Sequence, residues 1–127
     1  MKTTENALNW FEIPVSNMDR AKKFYETIFG ITMDKNEMMD RQMAYFPAEN
    51  MSGKVSGGLV QSPMHKPSAE GAKIYLNGNP DLSGALSKIE SAGGKIQMPK
   101  TKISDDIGYM ASFVDTEGNN ISLHSKN

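Results

Sequence analysis

The feature that most constrains this chain is an internal repeat at a spacing of 64 residues. Met18 falls on Leu82, Ala21 on Ala85, Tyr25 on Ile89, Ile28 on Ala92 and Gly30 on Gly94. The apolar positions in both halves follow helical spacing and define one buried face of an amphipathic helix. Asn17 and Asp81, also 64 apart, precede the two runs. Their side-chain oxygens suit them to accept the free amides of a first helical turn, and glycine suits each helix end. A period this long does not describe a short solenoid unit. It predicts a duplicated βαβββ module of α+β class, in which each sheet needs the other half, or a partner, to cover its exposed face. With 127 residues in all, one domain with a substantial core is expected over 1–127 rather than two ordinary ones.

Module one is expected at about residues 7–60, a linker at 61–71 and module two at 72–125. Residues 7–15 (ALNWFEIPV) are rich in apolar and aromatic side chains and read as a strand. Further strands are expected at 31–34, 41–46 and 55–60, with turns over 36–40 and 47–53. Pro63, Pro67 and Gly71 mark the linker. In module two, 72–77 reads as a strand, and Asn79, Pro80 and Asp81 open a helix whose first turn tolerates proline. Strands are expected at 95–98, 107–115 and 120–125. The polar stretch 99–108 reads either as a loop over a cleft mouth or as an ordinary hairpin connection.

Composition removes several function classes. A formal net charge of -1 offers no basic excess for a phosphate backbone, so nucleic acid is not an expected partner. Cysteine is absent, which removes disulfides, thiolate metal sites and cysteine nucleophiles. The first residues are polar, and no run approaches the roughly 20 apolar residues that span a bilayer. The expectation is a cytoplasmic protein with no membrane partner.

The run Trp10-Phe11-Glu12-Ile13-Pro14-Val15, followed by Asp19, Arg20, Ala21, Phe24, Tyr25, Glu26, Phe29 and Gly30, resembles the first module of the glyoxalase/bleomycin resistance/dioxygenase (vicinal oxygen chelate) superfamily, lactoylglutathione lyase-related subgroup. The run from Phe113 to Asn119 resembles the closing hairpin of those proteins. The resemblance implies a cup-shaped mixed-sheet cleft with helices outside, a small-molecule ligand and a homodimer. It also implies a divalent metal held by a histidine or glutamine on the first strand, a glutamate on the fourth, a histidine on the fifth and a glutamate on the eighth. Carried over singly, these positions fall on Trp10, somewhere in 57–60 (no carboxylate), Lys73 and Ser122. Indole does not ligate, a protonated lysine repels a cation, and the only histidines are His65 and His124. No cofactor and no metal-binding residue are therefore expected, with a carboxylate-rich magnesium or calcium site the alternative left open.

Strand alternation sorts the remaining candidates, since side chains two apart share a face. Trp10, Glu12 and Pro14 are expected on the cleft side of the first strand. A carboxylate among apolar neighbours is costly to bury as an anion, so Glu12 is expected to have a raised pKa unless it is paired. That would make it the catalytic acid or base; the alternative is an ion pair with Lys73 or an arginine. Trp10, Lys73, Tyr75, Ser122 and His124 are the candidate ligand-binding residues. Three functions fit: a lyase-related enzyme using Glu12, a drug-sequestering protein of the bleomycin-resistance type, and a domain kept for dimerisation. The Gly57-Gly58 pair lacks the spacing of a phosphate-cradling loop, and no nucleophile elbow or serine-histidine-aspartate order is apparent.

Overall fold

The computed structural model describes residues 1–49 and 53–127. The expected 47–53 turn falls partly on 50–52, outside the described residues. The elements run β1 (Trp10–Pro14), α1 (Met18–Phe29), β2 (Asp34–Met38), β3 (Arg41–Tyr45) and β4 (Ser56–Gln61), then β5 (Tyr75–Asn77), α2 (Ser83–Leu86), β6 (Lys95–Ser104), β7 (Gly108–Val114) and β8 (Asn120–Ser125). They form two four-stranded sheets, ordered β1-β4-β3-β2 and β5-β8-β7-β6. Adding four to each strand of the first sheet yields the second. In each, the first strand pairs in parallel with the last and the remaining pairs are antiparallel. The 64-residue repeat is thus a repeat of topology.

Helix α1 forms where the cap chemistry and the apolar face agree. The Asn17 side chain accepts from the Arg20 amide, and Gly30 closes the helix at φ 63°, the left-handed region that glycine enters without strain. Met18, Ala21, Phe24, Tyr25 and Ile28 are buried. The second helix is shorter than the repeat suggests. After Leu86 the chain continues in tight turns, with Lys88 donating to Ala85 and Ile89 to Leu86, bonds of i→i+3 type that follow a glycine and serine-rich start. Leu82 and Ile89 are nevertheless fully buried, as Met18 and Tyr25 are.

The largest departures from expectation lie at sheet edges: β1 and β5 each start three residues later than expected, and β2 and β6 differ more. The strand expected at 31–34 is instead β2, a fully exposed DKNEM segment paired only with β3. With neither face buried it carries no hydrophobic alternation, and polar side chains suit an edge. Its two-residue turn places Met39 at φ 57°, without the asparagine-glycine signal that marks such turns in sequence. In module two, β6 extends to Ser104 and absorbs much of 99–108 into a hairpin, with several register shifts. Pro99 is tolerated there because β6 is an edge and a ladder donor is not required on its open side.

One core joins both halves. Ile13, Ala44 and Leu59 from the first sheet share it with Leu76, Ala111, Phe113, Ile121 and Leu123 from the second, and with the α1 face. Glu117, on the β7–β8 turn, ties the halves electrostatically. Its fully buried carboxylate accepts the Ser16 and Asn17 amides at 2.9 and 2.8 Å and the Arg20 guanidinium at 2.7 and 3.0 Å. It therefore satisfies backbone donors at the start of α1 from a turn 100 residues away. Burial pushes the Glu117 carboxyl up, but the Arg20 guanidinium and the Asn17 amide together hold it below the usual carboxylate range. A carboxyl lowered in the folded state contributes stability above its unfolded pKa of about 4.3 and loses it as pH falls through the folded value. Urea unfolding of Glu117→Gln at pH 7 should show a loss of about 2 kcal/mol, and its stability should fall less steeply than the parent's from pH 5 downward.

Candidate functional site

Register fixes which side chains share the face of the first sheet that is turned away from the core. Glu12 pairs with Gly58, which pairs with Tyr45, while Pro14, Val60 and Met43 form the next row. Ile13, Leu59 and Ala44 form the intervening row, on the core side. The third-strand residues beside Glu12 are therefore Tyr45 and Met43. On the second sheet, Tyr75, Ser122 and Ser112 form one row, and His124 pairs with Met110 and Asn77.

Glu12 is the centre of the first face. Its Oε2 accepts the Trp10 indole N–H at 3.4 Å, and its Oε1 lies 3.2 Å from His65 Nε2. The Glu12 side chain is 31% exposed and that of His65 21%. The premise of an unpaired carboxylate among apolar groups therefore does not hold. Its partner is neither Lys73 nor an arginine but a histidine of the segment read from sequence as a linker. His65 Nδ1 is bonded in turn to Ser62 Oγ at 2.7 Å. Trp10 and Tyr45 pack as a tilted aromatic pair with centroids 6.0 Å apart, the indole 43% exposed.

The other candidates sit elsewhere. Lys73 is exposed ahead of β5. Tyr75 is half exposed, and Ser122 is buried. His124 Nε2 bonds to the Ile107 carbonyl at 2.8 Å, which ties the last strand to the β6–β7 turn. Among the described residues, no hydrogen bond, ion pair or ring contact joins Trp10 or Glu12 to Lys73, Tyr75, Ser122 or His124. Two groups result, one on each sheet, where a single cleft-facing set was expected.

Two cavities flank these groups. One of about 600 Å³ is lined by Ser62, His65, Arg41, Gln42, Gln61 and Lys66, among others. The other, about 920 Å³, lies between the modules and is more apolar, with Phe11, Phe29, Phe46, Ile74 and Tyr75 on its walls. Both fall within the size range of small-molecule sites. His65 lines the first, while Glu12 and Trp10 line neither; the second is reached by Tyr75 alone of the candidate residues.

The glyoxalase/bleomycin resistance protein/dioxygenase superfamily model matches residues 7–123, spanning both modules and the segment between them. The chain belongs to that superfamily. Relatives in sequence include the CFP32 protein of Mycobacterium bovis, 27% identical over 122 residues, and a glyoxylase-like domain-containing protein of Didymella fabae, 28% identical over 122 residues. The match covers 94% of this chain but 45% of the mycobacterial protein, and 88% of each in the fungal case. The chain thus spans about half the length of the mycobacterial relative. Among solved structures, maize glyoxalase I superimposes with a TM-score of 0.73 at 20% identity, over 94% of this chain and 46% of that one. TnmS3, an antibiotic binding protein from Streptomyces sp. CB03234, gives 0.67 at 20% identity over 99% and 100%. At these identities the likeness is one of fold. Members of the superfamily bind small molecules and commonly form dimers. Among the described residues, no helix is long and apolar enough to cross a membrane.

Membership corrects one expectation. The absence of a cofactor was inferred from ligand positions carried over by resemblance, but the superfamily is one whose members usually use a metal, so that inference is withdrawn. No metal is assigned to particular side chains either. Trp10 offers no ligating atom, and among the described residues no three histidine, aspartate or glutamate side chains converge.

Proposed function

We propose that this superfamily member, acting as one domain over 1–127, binds a small organic molecule against the Trp10–Glu12 face of the first sheet. There Glu12 transfers a proton, as in a lactoylglutathione lyase-related reaction. The observation that carries this reading is the Glu12–His65 pair, whose histidine lines a cavity of about 600 Å³. A carboxylate held by an indole N–H on one oxygen and an imidazole on the other is fixed in orientation, which proton transfer to a bound ligand requires. Both groups remain partly open to the solvent side from which a ligand arrives. A homodimer is part of the proposal, because dimers are common in the superfamily. A cytoplasmic location fits the reading.

The test is turnover of the hemithioacetal of methylglyoxal and glutathione, followed with a divalent metal added and with a chelator. Glu12→Gln should reduce turnover by about 100-fold or more while the circular dichroism spectrum is kept. Turnover equal to that of the parent would remove Glu12 from the chemistry. A second reading, sequestration of a bleomycin-type drug, draws on the exposed Trp10 packed against half-buried Tyr45, since an exposed aromatic face suits stacking on planar ligands. It predicts saturable binding of bleomycin with no product formed.

A further inference from the structure

We propose that Ser62, His65 and Glu12 form a nucleophile–base–carboxylate relay, and that Ser62 is acylated by small carboxylic esters, which the chain hydrolyses. This goes beyond the proton transfer assigned above and shares Glu12 with it.

The hydrogen positions follow from the partners. A carboxylate only accepts, so the bond of 3.2 Å between Glu12 Oε1 and His65 Nε2 places the imidazole proton on Nε2. Nδ1 then carries the lone pair, and at 2.7 Å it receives the hydroxyl proton of Ser62. The Ser62 oxygen also accepts the Met64 amide at 3.1 Å, which fixes its rotamer. One consistent chain of donors results, from Ser62 through His65 to Glu12. The two nitrogens are used in the reverse of the usual serine-triad order, but the imidazole ring relays a proton from either one.

Local chain chemistry holds the nucleophile and the base together. Ser62, Pro63, Met64 and His65 form a turn closed by the His65 amide on the Ser62 carbonyl at 3.2 Å. Proline in the second position presets that turn. A turn alone accounts for the Ser62–Met64 bond. It does not account for a carboxylate 53 residues away on β1 reaching the far side of the imidazole. Ser62 and His65 both line the cavity of about 600 Å³, which also presents Arg41 and Lys66. Glu37 and Asp40 line the same cavity, so its charges balance formally.

The step balances without any further reagent than water. Ser62 Oγ bonds to the ester carbonyl carbon as its proton passes to His65 Nδ1, and Glu12 stabilises the resulting imidazolium through Nε2. Collapse of the tetrahedral intermediate breaks the carbon–alkoxide bond, and the leaving alkoxide takes the proton from Nδ1. Water then attacks the acyl-Ser62 carbonyl, gives its proton to Nδ1, and releases the acid as Ser62 regains its hydroxyl.

The experiment is labelling of the full chain with a fluorophosphonate probe, with the modified peptide located by mass spectrometry. A single adduct on Ser62 is expected, absent in Ser62→Ala and formed about 100-fold more slowly in His65→Gln and Glu12→Gln. A p-nitrophenyl acetate burst of one equivalent should accompany it. Three results would overturn the proposal: an adduct on another residue, Ser62 labelling no faster than in urea-unfolded protein, or an unchanged rate in His65→Gln. Because adduct formation is read on the protein itself, its failure is distinct from failure of hemithioacetal turnover.

Discussion

Asp115→Ala should destabilise the chain by about 3–5 kcal/mol in urea unfolding, among the largest losses available from one polar side chain. Asp115 is 4% exposed and accepts four hydrogen bonds. They come from the Tyr25 hydroxyl at 2.7 Å, the Glu117 and Asn119 amides at 2.9 Å each, and the Asn119 side chain at 3.1 Å. Removing the acceptor strands donors that water does not reach. It also loosens the turn that presents Glu117 to α1 and the Asn119 side chain to the Pro14 carbonyl at 2.6 Å. Burial, followed by the charge of Asp115, holds the Tyr25 phenol well above its ordinary range, so at neutral pH it remains a donor. Tyr25→Phe should cost less, about 1–2 kcal/mol, because Asp115 keeps its three other donors. In the double mutant the two losses should sum to less than their separate values, since they share one bond.

Phe24→Ala should cost about 3–5 kcal/mol through the cavity it leaves. Phe24 is 1% exposed and stands where the halves meet, with ring contacts to Tyr25 at 5.0 Å and to Phe113 of β7 at 5.8 Å. Gly94 provides a more specific test of that packing. A Cβ at Gly94 would sit 2.8 Å from Phe24 Cε1 and 2.9 Å from Ile89 Cγ2. Gly94→Ala alone should therefore cost about 1–3 kcal/mol by overpacking. With Phe24 already alanine, two of the three close contacts are gone, and the added cost should shrink measurably. Strict additivity of the two changes would show that α1 does not press on the turns that precede β6.

The duplicated fold was legible because its signal is local and buried. Met18, Tyr25, Leu82 and Ile89 repeat the same helical positions and fill one core. The bounds of β8 are those read from the alternation of Ile121 and Leu123 with Ser122 and His124. Two of the edge strands were not legible, because β2 buries nothing and β6 runs through Pro99. In the candidate site, alternation placed Trp10 and Glu12 on one face, but it could not place His65. The His65–Glu12 bond depends on how the chain returns after β4, over a separation of 53 residues. A sequence signal did exist in retrospect: serine, proline and histidine at the spacing of a turn, directly after the strand that pairs with β1. Its significance appears only once that pairing is known.

On the proposed reading a small ligand settles on the Trp10–Glu12 face. Amide NMR shift mapping tests it most directly, with the hemithioacetal of methylglyoxal and glutathione and then bleomycin as probes. The account predicts that one of them shifts a compact set of amides at Trp10, Glu12, Tyr45 and His65. Shifts confined to Phe29, Ile74 and Leu76 around the inter-module cavity, or none with either probe, would contradict it.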